Sequence, residues 1–313
     1  MAAFRSYHVE ANGIRIHYLR AGHGPGVGYE PGKGSVPGED RGPTLILLHG
    51  WPEFCRTWRR LIPLLADDFD LVAPDLRGFG DTEKPYAGPT DTMTAEVLAD
   101  DLLALLDVLG LERPVGIVSH DVGAYAAQIL ARRRPERVAG LFFFNCPYPG
   151  IGRRWAEPEH LKEIWYQSFN QMPWAADLVG SSREACRLYI GHFLRHWAGD
   201  PHAFDEDFEA WIDNFLKPGN LQGGFNWYIA ANRSRLAVMR GEGPEAPPVT
   251  VPTRVLWGGR DPVLKAQWID RLAEFFTDLD ASVAAEAGHF VQMEQPDLAA
   301  REIRAFFRRI GYG

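Results

Sequence analysis

Polar and apolar residues alternate over residues 6–10 and again over 14–20, with Asn12-Gly13 between the two runs. A period of two on either side of an Asn-Gly pair predicts an antiparallel hairpin, since both residues tolerate the positive φ of a tight turn. Short apolar runs at 44–48, 71–74, 115–118 and 138–144 predict buried strands. Between them a helical period recurs: from about 49 to 66, over 95–109, and over 124–134. Strands alternating with helices predict an α/β protein with a largely parallel central sheet.

After Asn145 the pattern changes. Pro147 and Pro149 break the chain, and residues 159–236 read as helices rich in aromatics, with no strand-like run. A proline-rich stretch, 241–252, leads back to strand patterns at 253–257 and 282–286 and to a last helix. The expected organisation is a sheet domain, 1–148 and 237–313, into which an all-helical cap, 149–236, is inserted. A lid over the strand ends would close a mostly apolar pocket. Gly32-Lys33-Gly34, in a Gly/Pro-rich stretch, lacks the spacing of a phosphate-binding loop and no apolar strand leads into it, so it reads as a loop.

Composition narrows the partners. The chain has 313 residues, 46% of them hydrophobic, which suffices for a sizeable core. A net charge of −8, with no basic tract, argues against nucleic acid. Cys55, Cys146 and Cys186 are scattered and odd in number, which points to a reducing compartment rather than a disulfide framework. The first residues carry no signal-like apolar stretch, and no run of about 18 apolar residues occurs, so a cytoplasmic protein without a membrane role is expected.

The chemistry is concentrated in Ser119-His120-Asp121-Val122-Gly123, between a strand and a helix. Small-x-nucleophile-x-small at such a junction is the pattern of a nucleophile elbow, here with aspartate in the reactive position. A carboxylate attacking an ester would form an anhydride, a more reactive acyl donor than the substrate. Attacking a saturated carbon, it forms an ordinary ester that water can cleave, so Asp121 points to alkyl transfer through a covalent intermediate. An aspartate here would also suit plain capping of the following helix.

Cleaving the ester needs a base and a group to orient it. Asp261, in Gly259-Arg260-Asp261-Pro262, and His289, in Ala287-Gly288-His289-Phe290, follow the nucleophile in the order nucleophile, acid, histidine. Asp261 before Pro262 would equally start a helix. Activity should fall on the acid side as His289 protonates, and a rate that stayed flat well below about pH 6 would count against histidine as the base. The developing oxyanion requires backbone donors, for which the N–H groups of Val122 and of Trp51, in His49-Gly50-Trp51-Pro52-Glu53-Phe54, are placed. For the His49 side chain a packing role is expected.

With these motifs the chain resembles the α/β-hydrolase-fold epoxide hydrolases over nearly its whole length. That resemblance implies two cap tyrosines that polarise and protonate the epoxide oxygen. Trp165-Tyr166-Gln167 and Phe225-Asn226-Trp227-Tyr228 look like the segments that carry them, which gives Tyr166 and Tyr228. It also implies a small-molecule apolar epoxide and water as reactants, a vicinal diol as product, no cofactor or metal, and a monomer or homodimer. Haloalkane dehalogenases share the elbow but commonly carry tryptophan after the nucleophile, and fluoroacetate dehalogenases carry arginines where this chain has Val122 and Tyr125. A dehalogenase, or a ligand sensor without turnover, remains the alternative. Trp165, Phe169, Met172, Trp174 and Trp227 are candidates to line an aromatic tunnel, though such residues also pack helix to helix. Asn145 stands where some relatives keep their catalytic acid and, being neutral, leaves that role to Asp261.

Overall fold

The computed structural model describes residues 4–22, 42–85, 88–243 and 245–313; the Gly32-Lys33-Gly34 loop lies outside them. The chain has the α/β-hydrolase fold, with eight strands in the order β1-β2-β4-β3-β5-β6-β7-β8. These are β1 Arg5–Ala11, β2 Ile14–Ala21, β3 Thr44–Leu48, β4 Asp70–Pro74, β5 Val115–His120, β6 Val138–Phe144, β7 Thr253–Gly258 and β8 Leu279–Ala284. β1 pairs antiparallel with β2, and β2 with β4; every later pairing is parallel. The hairpin turns at Asn12 and Gly13, both at positive φ, 48° and 75°.

The central strands read as continuous apolar runs because both sheet faces are covered. Ile46, Leu48, Val72, Ile117 and Phe143 face the helices Ala95–Val108 and Val122–Arg133. Their neighbours Leu45, Leu47, Leu71, Val118 and Phe142 face Trp58, Leu65 and the helix Pro296–Arg309. β8 lies at the sheet edge and is half exposed, so its sequence is weakly patterned. It runs over Leu279–Ala284, not 282–286, because after Ala284 the chain folds back to receive hydrogen bonds from Gly259 and Arg260.

The helix expected from about 49 to 66 is instead a 3-10 turn, Cys55–Trp58, and a short helix, Ile62–Leu65. Pro63 lacks the N–H that a helix running on from Cys55 would need. Between β6 and β7 the described residues contain helices and no strand. Its longest helices are Arg183–His196 and Asn220–Arg240; the latter passes residue 236 and stops at Gly241, at φ 75°. This segment sits on the sheet domain through Trp211 Nε1 to the Pro52 carbonyl (3.0 Å) and His289 N to the Trp197 carbonyl (2.8 Å). Among the described residues, no helix is long and apolar enough to cross a membrane.

Candidate active site

The turn after β5 is strained. Asp121 has φ 45° and ψ −113°, unfavourable for a residue with a Cβ, and the helix starts at once with Val122. Gly123 must lack a side chain, since a Cβ there would lie 2.7 Å from Leu48 Cβ. The Asp121 carboxylate makes no capping hydrogen bond to its helix. Instead its Oδ1 accepts from the backbone N–H of Trp51 at 3.0 Å. That approach depends on Gly50, where a Cβ would stand 2.5 Å from Asp121 Cβ. Val122, buried, is the first residue of the helix beside Asp121.

Asp261 and His289 reach the same place from the ends of β7 and β8. His289 Nδ1 bonds Asp261 Oδ2 at 2.7 Å, and its Nε2 lies 4.0 Å from Asp121 Oδ2. Among the described residues, Nε2 has no hydrogen-bond partner. Asp261 serves two ends: its Oδ1 accepts from the N–H groups of Val263 (2.8 Å) and Leu264 (3.0 Å), while Oδ2 holds the imidazole. No helix starts at Pro262; the next, a 3-10 helix, begins at Ala266, so the Oδ1 contacts tie down a turn while Oδ2 contacts the imidazole. Asn145, at φ 44°, supports it by donating to Asp261 Oδ2 and accepting from Gly258 N at 2.8 Å.

The imidazole of His289 is fully buried, which on its own would push its pKa down. The charge and hydrogen bond of Asp261, with Asp121 and Glu53 beyond, outweigh burial and raise it from the ordinary 6.5 to about 9. Glu53 belongs to a buried pair behind the site. Its carboxylate accepts from His120 Nδ1 at 2.6 Å, Gly50 N at 2.8 Å and Gln292 Nε2 at 2.8 Å. The His120 ring lies 4.5 Å from that of His289. Burial alone would raise the Glu53 carboxyl; His120 and the other donors bring it down to about 2. Both residues lie inside the motifs quoted above, but no spacing rule in the sequence joins Glu53 to His120. His49 has the expected structural place, with its buried ring accepting from Leu76 N at 3.0 Å.

Tyr166 and Tyr228 are both buried, with ring centroids 5.4 Å apart. Each packs on the Trp51 ring, Tyr166 stacked at 5.0 Å and Tyr228 edge-on at 5.3 Å. The residue whose N–H holds the carboxylate thus carries the two phenols on its side chain. Burial, then the charges around them including Asp121, raise both phenols above their ordinary value, so both keep their protons at neutral pH.

The tunnel candidates divide. Trp227 is buried, with its ring 5.6 Å from that of Tyr125. Trp165, Met172 and Trp174 are 43%, 40% and 52% exposed. A helix as short as Trp165–Phe169 turns one side inward, and Tyr166 takes it. Trp165 and Phe169 instead line an open apolar groove of about 340 Å³ with Leu178, Leu188 and Tyr189. Elsewhere, buried His17, Cys55 and Asp75 form a compact group of donors with metal-ligand chemistry. Asp75 already accepts from His17 Nδ1, Cys55 N and Asp81 N, so the group is held together by its own hydrogen bonds.

The family described as alpha/beta hydrolase fold matches residues 43–185. Epoxide hydrolase A of Mycobacterium tuberculosis is 30% identical over 324 aligned residues, covering 92% of each protein. The chain belongs to the α/β-hydrolase-fold epoxide hydrolases. The soluble epoxide hydrolase of Corynebacterium sp. strain C12 is 29% identical, over 95% of this chain and 94% of that one. The solved structure of the epoxide hydrolase CorEH superposes with a TM-score of 0.78 at 25% identity, covering 98% of this chain and 100% of the other. This family member is a hydrolase enzyme.

Proposed function

We propose that the enzyme opens epoxides to vicinal diols through an ester on Asp121, with residues 149–236 acting as a cap over the site. The observation that carries this is the placement of Asp121. Its carboxylate is tied to the Trp51 N–H and not to its own helix, lies 4.0 Å from an unpartnered His289 nitrogen, and shares Trp51 with two protonated phenols. A phenol suits an alkoxide leaving group, which needs a proton; a departing halide needs none.

In the first step Asp121 Oδ2 attacks a ring carbon while a tyrosine gives its proton to the ring oxygen. Oδ1 stays on the Trp51 N–H and becomes the ester carbonyl oxygen, so the donor is in place before the oxyanion forms. Esterification removes the charge of Asp121. With it goes part of what holds the proton on His289, and that proton passes by way of water to the tyrosinate. Neutral His289, oriented by Asp261, then takes a proton from a second water, whose oxygen attacks the ester carbonyl. Collapse releases the diol, which takes the proton from His289. The new Asp121 carboxyl group ionises and returns a proton to the imidazole. Trp51 and Val122 supply the backbone donors, and Trp227 is the tunnel candidate that stays buried beside Tyr125. No step requires a cofactor.

Product analysis tests this reading. Purified enzyme should convert styrene oxide to phenylethanediol and release neither bromide from a bromoalkane nor fluoride from fluoroacetate. Halide release without diol, or binding of all three without turnover, would overturn it.

A further inference from the structure

A half-buried arginine, Arg235, adjoins the site through Gln167. It lies on the helix Asn220–Arg240, seven residues after Tyr228 and so on the same side two turns on. Its guanidinium is half-buried, and among the described residues no carboxylate pairs with it. Nη1 donates to Gln167 Oε1 at 2.7 Å, Nη2 donates to Asn232 Oδ1 at 2.9 Å, and Nε is buried without a partner. Burial lowers its pKa, and the Gln167 amide it holds lies beside the Tyr166 hydroxyl. A cation half-buried against neutral partners is costly, which calls for a reason.

The reason follows from what each group can donate. A guanidinium has donors only, so the oxygen of the Gln167 amide must face Arg235. The NH₂ of that amide then faces the other way, and its Nε2 lies 3.3 Å from the Tyr166 hydroxyl oxygen. Tyr166 oxygen is therefore an acceptor in this contact, and its own hydrogen is left to point elsewhere. Burial raises both phenols. The Tyr228 ring stands edge-on to that of Tyr166, with centroids 5.4 Å apart, so Tyr228 supports Tyr166 by packing.

We propose that Arg235 is a positioning residue that, by locking the Gln167 amide, makes Tyr166 the tyrosine that gives its proton to the epoxide oxygen, while Tyr228 braces it. This rests on the epoxide reading above. As the bond from Asp121 Oδ2 to carbon forms, the ring C–O bond breaks and its electron pair goes to the ring oxygen, which takes the Tyr166 proton. The tyrosinate left behind already has the Gln167 N–H directed at it and the charge of Arg235 behind the amide.

The test is single-turnover kinetics with styrene oxide, reading alkylation and ester hydrolysis separately by tryptophan fluorescence. Arg235→Met and Gln167→Leu should each slow alkylation by roughly 10-fold, the size of one charge-supported hydrogen bond, with the dissociation constant of the initial complex and the hydrolysis rate little changed. Arg235→Lys should recover most of the rate. In a Tyr166→Phe background, Arg235→Met should have no further effect; in Tyr228→Phe it should keep its full effect. The inference fails if Arg235→Met acts equally in the Tyr166→Phe background, if it weakens only the dissociation constant of the initial complex, or if alkylation is unchanged. Thermal unfolding checks each variant, and should Arg235→Met not fold, Gln167→Leu makes the same comparison in both backgrounds. Wild-type enzyme that forms no diol would count against the epoxide reading itself, whereas active wild type with an unaffected Arg235→Met overturns only this inference.

Discussion

Replacing Asp121 with asparagine should lower the pKa of His289, because it reproduces the neutral state of Asp121 in the ester. The two groups stand 4.0 Å apart, Nε2 to Oδ2. Unit charges at that distance interact by about 4 kcal/mol at an effective dielectric of 20 and by about 1 kcal/mol in water. At 1.36 kcal/mol per pKa unit, removing the carboxylate should lower the imidazole pKa by roughly 1 to 3. In the resting enzyme that pKa is raised to about 9, so the histidine enters the cycle protonated at neutral pH. In the asparagine variant it should titrate between roughly 6 and 8, within reach of a base at neutral pH. The assay is ¹⁵N NMR of the imidazole of His289 over pH 5 to 10, in wild type and variant. Equal pKa values in the two proteins, or a wild-type imidazole already neutral at pH 7, would refute the idea that esterification switches the histidine from acid to base.

Gly50→Ala brings a Cβ to within 2.5 Å of Asp121 Cβ and forces the Trp51 N–H away from Oδ1. Loss of one oxyanion donor should slow ester hydrolysis by roughly 10²–10³; stopped-flow rates within threefold of wild type would speak against that donor. Glu53 contributes stability above its unfolded-state value of about 4.5, and that contribution is lost as pH falls through its folded value of about 2. Glu53→Gln should therefore be less stable than wild type at neutral pH, and the gap in chemical denaturation should shrink between about pH 4.5 and 2. A gap that stays constant through that window would show the Glu53 charge to be unimportant.

Patterning made the sheet legible where strands are buried on both faces. β3 and β6 appear at the expected positions, because an apolar run bounded by turn residues has few other fates. It misled where tertiary contacts decide: at β8, an edge strand with little apolar signal, and around Pro63, where one residue without an N–H splits a helical pattern. The elbow, Asp261 and His289 were readable because their chemistry is tied to the ends of strands. Asn145, a neutral amide, hydrogen-bonds Asp261 through a left-handed backbone that spacing does not disclose. The same holds for Arg235 and Gln167, 68 residues apart and joined only once two helices pack together. Trp165 and Met172 illustrate the opposite error: an aromatic or methionine near a candidate tyrosine has no assigned side until the helix has one.

The central claim is a covalent bond between substrate and Asp121. His289→Gln leaves the nucleophile and tyrosines in place but removes the base, so ester formation should continue and its cleavage stop. Mass spectrometry of that variant after incubation with styrene oxide should find one substrate mass added to the peptide containing Asp121. The same peptide recovered unmodified, from enzyme that still consumes epoxide, would contradict the mechanism.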